Sequence, residues 1–185
     1  SAFGSYCFSQ GAQSEARDYV THAEGGGTKT SGQFTHSEGY GTYADGFGSH
    51  SEGGETSALG IYSHAEGAGS YVFPTSTACH AEGIECYASG NASHAEGTGT
   101  SALANYSHSE GRESKSNGQY SHSEGAVTLA NNAYSHAEGS ATSALGQYSH
   151  AEGNSAYSDG LGSHAEGYGA SAIGFASHAE GYRTR

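Results

Sequence analysis

Twelve histidines are the residues of this sequence best equipped for chemistry, and they form one series. They are His22, His36, His50, His64, His80, His94, His108, His122, His136, His150, His164 and His178. Successive members lie 14 residues apart, except His64 and His80, which lie 16 apart. Two residues after each comes a glutamate: Glu24, Glu38, Glu52, Glu66, Glu82, Glu96, Glu110, Glu124, Glu138, Glu152, Glu166 and Glu180. Imidazole beside carboxylate offers three kinds of chemistry. The pairs can satisfy one another's buried polar groups through hydrogen bonds to a neighbouring coil or chain. They can also act as ligands for zinc, nickel or iron. With the serine that precedes most of the histidines they could form a Ser-His-Glu catalytic set. Catalysis, however, needs nucleophile, base and orienting group to converge at one cleft. Ser and His are adjacent in nine of the twelve copies, so on an extended strand they face opposite sides. The chain is therefore read as non-enzymatic, with no catalytic residues and no cofactor beyond a candidate axial metal ion held by ladder His and Glu.

The elements that must position this ladder follow from the repeat. Each unit reads [ST]-H-[AS]-E-G, with Cys79 the one departure at its first place. A degenerate copy, Cys7-Phe8-Ser9-Gln10-Gly11, puts Phe8 in the histidine place. Seven residues on lies a second half, as in Thr56-Ser57-Ala58-Leu59-Gly60 and Thr142-Ser143-Ala144-Leu145-Gly146. Alternation of small and variable residues predicts two short strands per coil, with Ser, Thr and Ala on the shared inner face. Glycine at each strand end predicts a tight corner. Stacked at about 4.8 Å, some thirteen coils would make a rod on the order of 60 Å long. The expected fold is all-β, a parallel β-roll or β-solenoid over 1–185 as a single repeat domain. Residues 1–20 would be a degenerate first coil, with 10–20 departing from the repeat as a cap, and 182–185 would run out of pattern.

Composition agrees with a thin, self-supporting roll. The chain has 31 Gly, six Phe, no Trp, no Met and a single Pro, with a formal charge of −13. So few large apolar groups cannot build a thick core. Six Lys and Arg form no basic patch, which argues against nucleic acid as a partner. No apolar run is long enough to insert in a membrane. The chain begins at Ser1 with no visible signal peptide, and is read as a trimmed or excised piece of something larger.

The outward positions of the two strands differ. The first strand carries His and Glu in all twelve regular copies. The second drifts through Lys29 and Ser31, Tyr43 and Asp45, Ser57 and Leu59, Lys115 and Asn117. A solvent face tolerates such drift, whereas a face locked against an identical partner does not. The His/Glu face is therefore expected to be buried between chains.

The pattern S-x-A-x-G-x-x-[ST]-x-A-x-G resembles the head repeat of the YadA-type trimeric autotransporter adhesins. Related repeats, some with Ser-His-Ala-Glu-Gly, occur in phage fibre and bacterial surface proteins. The resemblance covers nearly the whole chain. It implies a left-handed roll, a homotrimer with the ladder at its threefold axis, and an extracellular, cell-surface or virion-surface location. It further implies a structural fibre or head segment used for adhesion or filament building, with a host surface or glycan receptor as partner. End-to-end association into filaments is also expected, from the unpaired strands at solenoid ends. The family commonly has Val and Ile at the axial positions. His and Glu there imply a polar, hydrogen-bonded axis.

Further expectations attach to single residues. Tyr106, Tyr120, Tyr134 and Tyr148 recur two places before a histidine and should form one aromatic column, either a stacking device or a glycan-binding strip. The 16-residue coil contains Ser70-Tyr71-Val72-Phe73-Pro74-Thr75-Ser76, whose insertion should bulge outward and expose Tyr71, Val72 and Phe73 as a candidate contact. Cys79 and Cys86 are read as small core residues not joined to each other. A histidine buried beside glutamate should hold its proton to higher pH than a free one, so the ion pairs would weaken as pH rises.

Overall fold

A computed structural model describes residues 1–185. The chain is all-β without helices, a parallel β-solenoid of about thirteen coils. It divides into two compact units, Ser1–Ala92 and Ser93–Arg185. No helix is present that is long and apolar enough to cross a membrane.

In both units, strands of five residues beginning at a histidine alternate with strands of two residues, apart from the three-residue strands Phe8–Gln10 and Glu15–Arg17 in the first coils. The five-residue strands pair with one another, and the first of them with Phe8–Gln10, to form the histidine sheet. The two-residue strands form a second sheet. Register repeats the sequence spacing. In the first unit His36 lies beside His50, and His64 beside His80 across the longer coil. In the second, His108 lies beside His122 and Ser143 beside Tyr157.

The interior is made of the small residues that alternation assigned to it. Ala58, Ala65, Thr56 and Thr142 have no exposed surface, and Ser63 has 2%. Short side chains let the sheets approach closely, and their hydroxyls bond across the gap: Ser51 to Thr56 at 2.8 Å, Ser158 to Ser163 at 2.6 Å. The residue before the histidine has a second task. Its hydroxyl donates to the carbonyl three residues earlier, as Ser121 does to Gly118, Ser149 to Gly146 and Thr35 to Gly32, at 2.6–2.7 Å. That bond closes the corner preceding these histidines, a polar job an alanine could not do. Cys79, in the same place, is buried and donates to the Gly90 carbonyl at 2.7 Å. Neither Cys79 nor Cys86 is in a disulfide.

The glycine after each glutamate lies inside the histidine strand rather than at its end, as in His64–Ala68 and His122–Ala126. It is required there for two reasons. Gly67 and Gly125 have φ of 98° and 110°, a region closed to residues with a Cβ. A Cβ at either would also strike the backbone carbonyl of the glycine in the next coil.

Three expectations are corrected. Residues 10–20 do not leave the repeat: Glu15–Arg17 is a short strand, with Ala16 beside Ala2 and Thr30, and Ala16 is fully buried. Val72 is not exposed by the insertion. Tyr71 and Val72 form a regular strand beside Ser57 and Ala58, so Val72 faces the core with no exposed surface. The outward bulge is Phe73, Pro74 and Thr75. At the other end, the Thr184 carbonyl accepts a hydrogen bond from the Ser171 N–H at 2.9 Å, which extends the pairing pattern into 182–185.

Candidate functional site

The histidine sheet is the most regular surface of the chain. Because register is fixed and side chains alternate, each imidazole falls directly over the next. In the first unit the rings from His22 to His80 stack 4.6–4.8 Å apart with planes within 11° of parallel. In the second, the rings from His94 to His164 stack at 4.7–4.9 Å within 20°, and His178 tilts by 32°. The glutamates form a parallel column beside them.

In most coils the imidazole Nε2 meets the carboxylate of its own strand, but loosely. The separations are 3.5 Å for His50 and Glu52, 3.6 Å for His36 and Glu38, and 3.8 Å for His164 and Glu166. These fall at or beyond the outer limit for a hydrogen bond. Nε2 of His22, His36, His50, His64, His108, His122, His136, His150 and His164 is shut from solvent and has no hydrogen-bond partner. The expected closure of the network between neighbouring coils therefore does not occur at these positions. A buried polar nitrogen without a partner costs about 1–3 kcal/mol, so the row is a repeated debt that other groups could relieve.

The same stacking reverses the expected direction of histidine titration. His36, His50, His122, His136 and His150 are pushed below the ordinary histidine value, first by burial of the ring and next by the charge of the adjacent imidazoles. Their glutamates pull the other way and do not prevail. Spacing showed an imidazole beside a carboxylate. It did not show that every imidazole also lies flat against another, where two protons repel.

Several triads on this sheet have the composition of a metal site. His50, Glu52 and His64, and His64, Glu66 and His80, each bring three ligand atoms within 4.8 Å of one another in the first unit. His94, Glu96 and His108, and His108, Glu110 and His122, do so in the second.

The tyrosines of the second unit form the expected column. Tyr106, Tyr120, Tyr134 and Tyr148 stack at 4.9, 5.1 and 5.0 Å with planes within 10°. Stacked faces are turned to each other, so the rings offer solvent their edges and hydroxyls, not the faces on which a sugar would lie. All four are in the left-handed backbone region at φ 58–59°. The signal was in the sequence: Gly48 and Gly162 hold the same place in other coils. A second aromatic series was missed. Tyr6, Tyr19, Phe34, Phe47 and Tyr62 meet edge to face at 5.3–5.7 Å. Here the ring alternates between two adjacent corner positions from coil to coil, which turns each ring against the next. At the insertion, Tyr71 and Phe73 contact each other edge to face at 4.8 Å, with Tyr71 half-buried and Phe73 36% exposed.

No protein-family model matches the chain, and no curated protein matches it.

Proposed function

We propose that the protein is architectural: a left-handed β-roll with two strands in each 14-residue coil, three copies of which associate through their histidine sheets. In this reading it serves as a fibre or head segment of an extracellular or virion surface appendage, used for adhesion or filament building, and does no catalysis. One observation carries the proposal. The histidine sheet repeats His and Glu in twelve coils and leaves Nε2 of nine of these histidines without a hydrogen bond within the chain, while the outward side of the second sheet drifts freely. Identical copies around an axis would bring carboxylates of one chain to imidazoles of the next and complete the hydrogen bonding. The resemblance to trimeric adhesin heads supports the same arrangement. A chain of 18.7 kDa is expected to show three times that mass by light scattering at pH 7.5. A folded species at the single-chain mass would refute the trimer and leave the histidine sheet open to other ligands.

A further inference from the structure

One triad of the histidine sheet differs from the rest. Glu66 is the least exposed of the paired glutamates, at 28% for the side chain. Its two carboxylate oxygens are divided between two coils. Oε2 lies 3.8 Å from Nε2 of His64 on its own strand, and Oε1 lies 3.5 Å from Nε2 of His80 on the next. Glu52, Glu110 and Glu152 instead approach the histidine of their own strand. The difference falls in the 16-residue coil, whose two extra residues bulge out at Phe73–Thr75.

We propose that His64, Glu66 and His80 form a binding site for a divalent transition ion of the zinc type, with all three protein ligands supplied by one chain. Neutral imidazole nitrogen and carboxylate oxygen are the donors such ions take, at about 2.0–2.2 Å, and tetrahedral geometry then sets ligand atoms about 3.3 Å apart. The two nitrogen–oxygen separations, one to each carboxylate oxygen, are 3.8 and 3.5 Å, so a small rotation of the carboxylate is needed. The nitrogens must draw together, because the rings lie parallel at 4.8 Å with planes 2° apart. Rings in this column do tilt, by 20° between His136 and His150, so His64 and His80 have a range over which Nε2 can move. Glu66 already spans both, and within the chain Nε2 of His64 makes no hydrogen bond, so the ion would compete there only with a carboxylate of another copy. Two imidazoles and one carboxylate leave a fourth position for water. The site does not depend on the trimer, because no ligand comes from a partner.

Cobalt(II) tests the site, since its visible absorption reports tetrahedral coordination. Titration of the full chain at pH 7.5 is expected to fill one equivalent per chain before any weaker sites. Glu66→Gln should weaken that first equivalent at least tenfold, and Glu113→Gln, at an exposed corner outside the ladder, should leave it unchanged. His80→Gln supplies a second variant if Glu66→Gln fails to fold. Absence of saturable binding, or unaltered binding in a folded Glu66→Gln or His80→Gln, would overturn the proposal. A first equivalent of one ion per three chains would also overturn it, placing the ion between copies.

Discussion

The two sheets share a parallel backbone ladder and an interior of Ser, Thr and Ala, yet their outer surfaces follow opposite rules. On the histidine sheet, each coil sets the same side chain over the last, so small misfits and unmet hydrogen bonds recur from coil to coil within each unit. On the second sheet the corresponding column runs Lys115, Leu129, Ser143 and Tyr157, and nothing repeats. Register alone is therefore no functional constraint, because both sheets have it. Uniform side chains on a registered sheet are the constraint. They make a surface that can match only something equally periodic.

The largest expected break in this comparison comes from glycine. Gly125→Ala places a Cβ at φ 110° and against the Gly139 carbonyl, with an expected loss of about 3 kcal/mol or more. Ser143→Ala, outward on the second sheet, should move stability by no more than about 0.5 kcal/mol. Urea midpoints of the two variants would decide it, and equal midpoints would refute the close-approach argument. A smaller loss follows from the corner hydroxyl. Ser149→Ala removes the 2.6 Å bond to the Gly146 carbonyl and should cost about 1 kcal/mol by the same measurement.

The weakest effect per residue is titration. Five histidines have folded pKa values pushed down, so the folded chain binds fewer protons than the unfolded chain over that range. Their contribution to stability is complete above the ordinary histidine value of 6.5 and is lost as pH falls below it toward the folded values. Solvent screens these half-exposed rings, which keeps each contribution small. The urea midpoint should fall between pH 7.5 and pH 5. A midpoint that rises instead would show that the glutamates dominate the ladder.

Much of this was legible in the sequence, because a period of 14 with alternation inside it fixes which residues face in and which residues pair. Phe8 does sit beside His22, as its place in the degenerate copy required. What failed was whatever depends on ring planes and backbone dihedrals. Nothing in the spacing of His108 and His122 says that their rings lie 1° from parallel, and the lowered titration of His122 follows from burial of its ring first and from the neighbouring imidazole next. Val72 was misplaced because the insertion was taken to begin at Ser70, when pairing continues through Val72. The divided carboxylate of Glu66 arises from the same longer coil, whose local geometry no repeat can foretell.

The central claim is that the histidine sheet is the face that meets other copies. Its most direct test compares the solution mass of two triple variants, each checked for folding by circular dichroism. One carries His108→Asp, His122→Asp and His136→Asp. The other carries Lys115→Asp, Leu129→Asp and Ser143→Asp at matched places on the second sheet. The account predicts that the first falls to 18.7 kDa while the second stays at three times that mass. A folded first variant that remains trimeric, or a second that dissociates, would contradict it.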